Sequence, residues 1–242
     1  VYDNFSNGHK WAVKWGDYTV GDLTNQKDIE QTLEYYSPDA VINMAALIEA
    51  GASVKDPLGF YENNISRSIN LFRAMECKGI KNIVFDLRFN SGGSPESSIH
   101  LLKYLAKKPF TYFSKSKHRI DIINKDQFKG KMFFIIDGNG ESTTGHFMSK
   151  VKELNLGTII GEELGSNHFC TAGQSILRLK NTKLVYNVAN TTSETFTKIV
   201  ADETGILPDV FVTQTIDNYI NKIDTVKEYT LSLINQVNSS KK

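Results

Sequence analysis

An α/β fold is predicted from three observations. Short apolar runs rich in β-branched and aromatic residues alternate with stretches of helical spacing. The 242 residues are 40% hydrophobic and 23% charged, enough to bury a sizeable core in one or two domains. No internal repeat or low-complexity tract interrupts that alternation.

The elements follow in order. Tyr18-Thr-Val20 reads as a short strand. Gln26 to Tyr36 places Ile29, Leu33 and Tyr36 at helical spacing, with Asn25 as its N-cap. Ala40 to Ala46 is a buried strand. Asp56-Pro57 opens a longer helix, since proline suits a first turn, and Gly79 ends it just past Cys77. Lys81 to Phe89 is a strand, and Ser97 to Lys107 a helix with Ile99, Leu102 and Leu105 inward. Met132 to Ile136 is a strand, Ser142 to Leu154 a helix, and Gly157 to Ile160 a strand. Residues 175–190 form a hairpin around Lys180-Asn-Thr-Lys183. A last helix is expected over Ile216 to Val237.

A net charge of +1 and a pI near 7.8 leave no basic excess, so neither nucleic acid nor an anionic membrane is an expected partner. No apolar run reaches the roughly 18 residues of a membrane span. Cys77 and Cys170 are too few for a disulfide scaffold or a four-cysteine zinc site, though one bridge between them stays open. The five histidines lack paired spacing, so no metal site is expected. Val1-Tyr-Asp3 reads as a strand end without a leader, which suggests that the chain starts inside a folding unit.

Residues 1–85 carry a set of short motifs in order. These are Val1-Tyr-Asp-Asn-Phe-Ser-Asn-Gly8, Val20-Gly-Asp-Leu23, Pro38-Asp-Ala-Val-Ile42, Ala45-Ala-Leu47 and Ser53-Val-Lys-Asp-Pro57, then Tyr61-Glu-Asn-Asn64 and Gly79-Ile-Lys-Asn-Ile-Val-Phe85. Together they resemble the UDP-glucose 4-epimerase family of NAD-dependent enzymes. The resemblance implies a Rossmann-like, doubly wound segment. An acidic residue ending its second strand receives the ribose hydroxyls of NAD, a role that falls to Asp3 with Asn4 and Asn7 beside it. Asp22 and Leu23 inherit the adenine contact, Met44, Ala45 and Ala46 the loop beside ribose and pyrophosphate, and Asn63 the nicotinamide side. Solvated turns and caps explain Asp3, Asn4 and Asp22 equally well. The first strand and its glycine-rich phosphate loop are absent, which predicts unpaired neighbours and a weakened pyrophosphate site. No Tyr-x-x-x-Lys pair follows Phe85, so no epimerase chemistry is expected.

From Asp86 onward a second set follows. Ile83-Val-Phe-Asp-Leu-Arg-Phe-Asn-Ser-Gly-Gly93, Met132-Phe-Phe-Ile-Ile-Asp-Gly138, Gly140-Glu-Ser-Thr-Thr-Gly-His-Phe147 and Gly157-Thr-Ile-Ile-Gly-Glu-Glu163 lead to Leu179-Lys-Asn-Thr-Lys-Leu184 and Gly205-Ile-Leu-Pro-Asp209. This order resembles the C-terminal-processing, or tail-specific, serine peptidases and implies part of a ClpP/crotonase-like α/β core acting on peptide or protein substrates. Ser142 stands at a strand–loop–helix junction as nucleophile, or, more plainly, as a helix N-cap. The Thr143 N–H and the Gly92-Gly93 turn would hold the oxyanion. One branch of the family places a lysine base where this chain has Asn167 or His168; His168 is kept as a substitute base. His146, four residues after Ser142, and Glu194, as an acidic orienting group, are weaker alternatives. His9, His100 and His118 read as surface residues.

The expectation is therefore a chimera: a partial NAD-binding segment over residues 1–85 joined to a partial peptidase core over 86–242. Its leading function is peptide-bond hydrolysis through Ser142, incomplete for want of a base and needing no cofactor. A residual epimerase fragment that binds NAD, or a non-catalytic fusion, are the alternatives.

Overall fold

The computed structural model describes residues 1–43, 52, 55–116, 118–123 and 127–239. Five strands form one parallel sheet: β3 (Val41–Asn43), β4 (Asn82–Asp86), β7 (Lys131–Ile136), β8 (Thr158–Gly161) and β11 (Val210–Phe211), side by side in that order. Three pairs lie outside it. β1 (Tyr2–Asp3) pairs in parallel with β2 (Thr19–Val20); β5 (Phe110–Thr111) pairs antiparallel with β6 (Arg119–Ile120), and β9 (Phe169–Arg178) antiparallel with β10 (Val185–Glu194) as a long hairpin.

Period-two patterning sorts the sheet's side chains to two faces. Ile83 and Phe85 of β4, Phe134 and Ile136 of β7 and Ile159 of β8 enter the larger core. There they meet α1 (Gln26–Tyr36), α3 (Arg67–Cys77), α4 (Pro95–Leu105) and α5 (Thr143–Glu153). Val84, Phe133, Ile135 and Ile160 face the other way, under Val226 and Ile234 of α7 (Thr225–Ser239). Buried on both sides, these strands read as unbroken apolar runs. The result is a three-layer α/β/α body, and its central strands are almost wholly buried.

Several expectations need adjustment. The helix opened by Asp56-Pro57 is interrupted: α2 (Pro57–Tyr61) passes into a π-helical turn over Glu62–Ser66 before α3. α4 starts at Pro95 with Ser94 accepting from the Glu96 N–H, two residues earlier than periodicity suggests. The hairpin is longer, over 169–194. The last helix is two: α6 (Ile216–Ile220) stops at Asn221, Lys222 has φ +58°, and Asp224 restarts the chain by accepting from the Lys227 N–H. Cys77 and Cys170 are both free thiols. His100 is half-buried and packs against Tyr61 and Tyr104 rather than lying on the surface.

The sheet crosses the expected boundary at residue 85 without a break, because β4 pairs with β3 on one side and β7 on the other. The unpairing expected for the epimerase-like strands is local. β1 and β2 retain each other, while β3 ends the sheet with one edge unpaired among the described residues. Arg88 ties the junction down: it donates to both oxygens of Asp86 at 2.9 and 2.5 Å and to both of Asp224 at 2.9 and 2.8 Å.

Candidate active site

The loops after β4 and β7 emerge at the carboxyl ends of adjacent parallel strands, where open α/β sheets place their chemistry. Asn90 staples them together. Its carbonyl accepts from the Glu141 N–H at 2.9 Å and from Thr144 Oγ1 at 3.0 Å. Its Oδ1 accepts from Thr144 Oγ1 at 2.8 Å and from the Gly92 N–H at 2.9 Å. Asp137 adds a second staple by accepting from the Phe89 N–H at 3.1 Å. Thr143 Oγ1 donates to the Gly93 carbonyl at 2.6 Å.

Ser142 sits where these staples converge. Its backbone has φ +52° and ψ −123°, a region that costs a non-glycine residue of order 1–3 kcal/mol. A Ser in an ordinary N-cap has extended backbone and bonds the helix's free amides. Ser142 has neither feature, since its side chain makes no capping bond to α5. The plainer of the two sequence readings therefore fails on geometry. The strain is held by the bond from the Gly145 N–H to the Ser142 carbonyl at 2.9 Å and by the Asn90 anchor on Glu141.

The two glycines differ in what they offer. Gly92 has φ +87°, and a Cβ there would sit 2.7 Å from the Thr143 nitrogen and 3.0 Å from Ser142 Cβ. Only glycine lets this turn lie against the Ser142–Thr143 peptide. Its own N–H, however, is taken by Asn90. The turn's remaining amide is that of Gly93, beside Thr143 at the head of α5.

The histidines lie behind the nucleophile turn, at the root of the β9–β10 hairpin. His146 is fully buried and its Nε2 meets the Ser193 carbonyl at 3.0 Å. Burial, with His168 nearby, holds its pKa below the usual imidazole value, against the pull of that carbonyl. His168 places Nε2 3.2 Å from Asp202 and 4.0 Å from Glu194. Among the described residues, neither Nδ1 has a hydrogen-bond partner. The loop carrying Asn167 packs on α5 at Gly145, where any Cβ would collide with the Asn167 carbonyl. Asn167 itself donates to the Asp202 carbonyl and accepts from the Phe169 N–H. Among the described residues no base hydrogen-bonds to Ser142 Oγ.

The epimerase-like residues gather partly. Asn4 Nδ2 donates to Asp22 at 2.6 Å, and Asp3 accepts from the Phe5 N–H at 2.6 Å. The Thr24 N–H and Asn4 hold the Asp22 carboxyl below its usual pKa. Leu23 turns its side chain to the core while its carbonyl accepts from Asn70. Arg67 links Asn63, at 2.9 Å, to Asp22, at 3.6 Å. Asn7 is exposed and stands apart from this chain of bonds. Met44, Ala45 and Ala46 lie outside the described residues. Asn90 and Arg88 escaped sequence reasoning; the asparagine two residues before the Gly92-Gly93 turn was the available signal.

Comparison with known proteins finds likeness to both families. The family model of peptidase family S41 matches residues 59–212, and that of GDP-mannose 4,6 dehydratase matches residues 9–96. A UDP-glucose 4-epimerase of Rhizobium leguminosarum bv. trifolii is 35% identical over 130 residues, which cover 53% of this chain and 39% of that enzyme. Among solved structures, mature CPAF aligns with a TM-score of 0.54 at 12% identity, over 71% of this chain and 47% of its own. A peptidase of Parabacteroides merdae, itself described as a presumed one, aligns with a TM-score of 0.51 at 18% identity, over 70% and 56%. These two structural likenesses bear on the fold alone. The chain spans well under two thirds of each of these proteins.

Proposed function

The chain belongs to peptidase family S41, and from that membership we propose that it is a serine-type hydrolase of peptide or protein substrates acting through Ser142. The observation that carries this is the Ser142 backbone: strained, at the head of a helix, with a hydroxyl that does no capping. Strain of this kind persists where surrounding bonds over-determine it and serves to present a side chain. In the proposed reaction Ser142 Oγ attacks a carbonyl carbon, and the amides of Thr143 and Gly93 receive the developing oxyanion. Gly92 shapes the turn and contributes no donor.

We also propose that the attack is slow. Proton removal from Ser142 needs a base within hydrogen-bond reach. His168, the substitute base, is drawn toward Asp202 and Glu194. Residues 86–242 carry all the groups invoked, which supports assigning the peptidase part to that stretch and the epimerase-like part to residues 1–85.

A fluorophosphonate probe tests the reading, because it phosphonylates a nucleophilic serine, with fluoride as the leaving group, without needing peptide recognition. Slow labelling of the wild-type chain that disappears in Ser142→Ala is expected, and His168→Lys or Asn167→Lys should speed it. Labelling that persists in Ser142→Ala overturns the assignment.

An NAD-binding remnant is the second reading, favoured by the Asn4–Asp22–Arg67–Asn63 chain of contacts. The sheet order weighs against it. Dinucleotides bind where strand order reverses, and the five-stranded sheet runs in one direction throughout. NAD affinity lost in Asp3→Ala would support this reading.

A further inference from the structure

The β9–β10 hairpin carries an apolar face that is open to solvent. Its register sets Leu177 opposite Tyr186 and Ser175 opposite Val188, and beyond them the Leu179 N–H donates to the Leu184 carbonyl. Opposed residues share a face of the ribbon. Leu177, Leu179, Leu184, Tyr186 and Val188 therefore form one stripe, and each is 41–64% exposed. The other face mixes Ile176 and Val185 with Gln174, Arg178 and Asn187. Two strands alone are marginally stable in water, and a contiguous exposed apolar stripe marks a surface that another body covers. We propose that a second copy of this chain covers it, the two hairpins packing face to face about a two-fold axis.

Charge and size select the second copy. The hairpin is polarised along its length. Its tip carries Arg178, Lys180 and Lys183, all exposed, and its root carries Glu194 and Asp202 beside His168. Lys115 also borders Glu194, which leaves the root acidic by one charge. Glu194 is an even number of residues from Tyr186 and Val188, so the alternation of β10 places it on the stripe's face. A two-fold axis through the stripe runs the two hairpins antiparallel, and each basic tip then points toward the other copy's acidic root. The parallel arrangement sets like charges together. The stripe and its polar rim offer roughly 500 Å² per copy, so a pair buries about 1,000 Å², the least that a specific interface requires. The dimer is accordingly weak, with dissociation in the micromolar range.

Sedimentation equilibrium of the full chain, from about 1 to 200 μM, tests this. A reversible monomer–dimer equilibrium is expected. Leu184→Glu should weaken it about tenfold or more, while Ile176→Glu, on the opposite face, should leave it unchanged. Both positions are exposed, and urea midpoints check that both variants keep the wild-type fold. Lys180→Glu/Lys183→Glu should weaken self-association, and so should Glu194→Lys. Mixed together, these two charge variants should pair with each other more tightly than either pairs with itself. A chain that stays monomeric throughout overturns the proposal. So does an Ile176→Glu variant that dissociates as readily as Leu184→Glu, or a failure of the two charge variants to pair.

Discussion

Replacing Arg88 with alanine tests whether the end of β4 is energetically coupled to the C-terminal helix. The Arg88 guanidinium bridges Asp86, at the end of β4, and Asp224, at the start of α7. The Asp86 side chain is only 9% exposed, so removal of the arginine strands a desolvated carboxylate. Loss of one partner of such a pair costs about 2–3 kcal/mol when partial solvent access is allowed for. Asp224, 31% exposed, is screened by water and adds less than about 1 kcal/mol. A total near 3 kcal/mol is therefore expected, read as a shift in the urea midpoint at constant slope. The double variant Asp86→Asn/Arg88→Met removes both charges and should recover most of that loss. The reasoning fails if Arg88→Ala costs less than about 0.5 kcal/mol, the range of an ordinary surface change, or if the double variant's effect is the plain sum of the single effects.

Other predictions concern the site itself. Gly92→Ala puts a methyl group against the Thr143 nitrogen at a positive φ, and should cost about 1–3 kcal/mol and abolish Ser142 labelling. Asn90→Ala removes the side-chain acceptor shared by Gly92 and Thr144; a loss of about 1–2 kcal/mol and at least tenfold slower labelling are expected. Acid should loosen the hairpin root. Burial lowers the His146 pKa in the folded chain, so the unfolded chain takes up the proton first. Stability is then full above about pH 6.5 and falls as pH drops from there toward the folded value. Urea midpoints measured between pH 7.5 and 5.5 should show this decline, and His146→Gln should flatten it.

Where local chemistry decided the structure, the sequence was readable. Asn25 caps α1 by accepting from the Asp28 N–H, and the helix covers the expected residues. The buried strands of the sheet were visible as apolar runs because both of their faces are covered. Boundaries failed where two signals competed. Apolar spacing runs through Ile216, Ile220, Ile223 and Val226, but Asp224 offers a better start to a new helix than Lys222 offers as an interior residue. Ser94-Pro95 was an unread start signal for α4. For the candidate site, Ser142 and the glycine turn were proposed from flanking residues that resemble the peptidase family. The capture of the Gly92 amide by Asn90, and the turning of His168 toward Asp202, depend on loops brought together in space. No spacing along the chain encodes either.

The one-directional strand order also bears on how the chain reaches its structure. Spatial order β3, β4, β7, β8, β11 repeats the order of synthesis. Each new strand can dock on an edge that already exists, with no need to open a finished pairing. During translation the sheet would grow from its amino-terminal end, as domains emerging from the ribosome do. The late step is then the arrival of β11 at β8, across nearly fifty residues of intervening chain. Its lateness comes from its place in synthesis, because the connection between β4 and β7 is nearly as long and costs nearly the same closure entropy. Until it happens, the outer edge of β8 and the α7 face of the sheet stay open to other nascent chains.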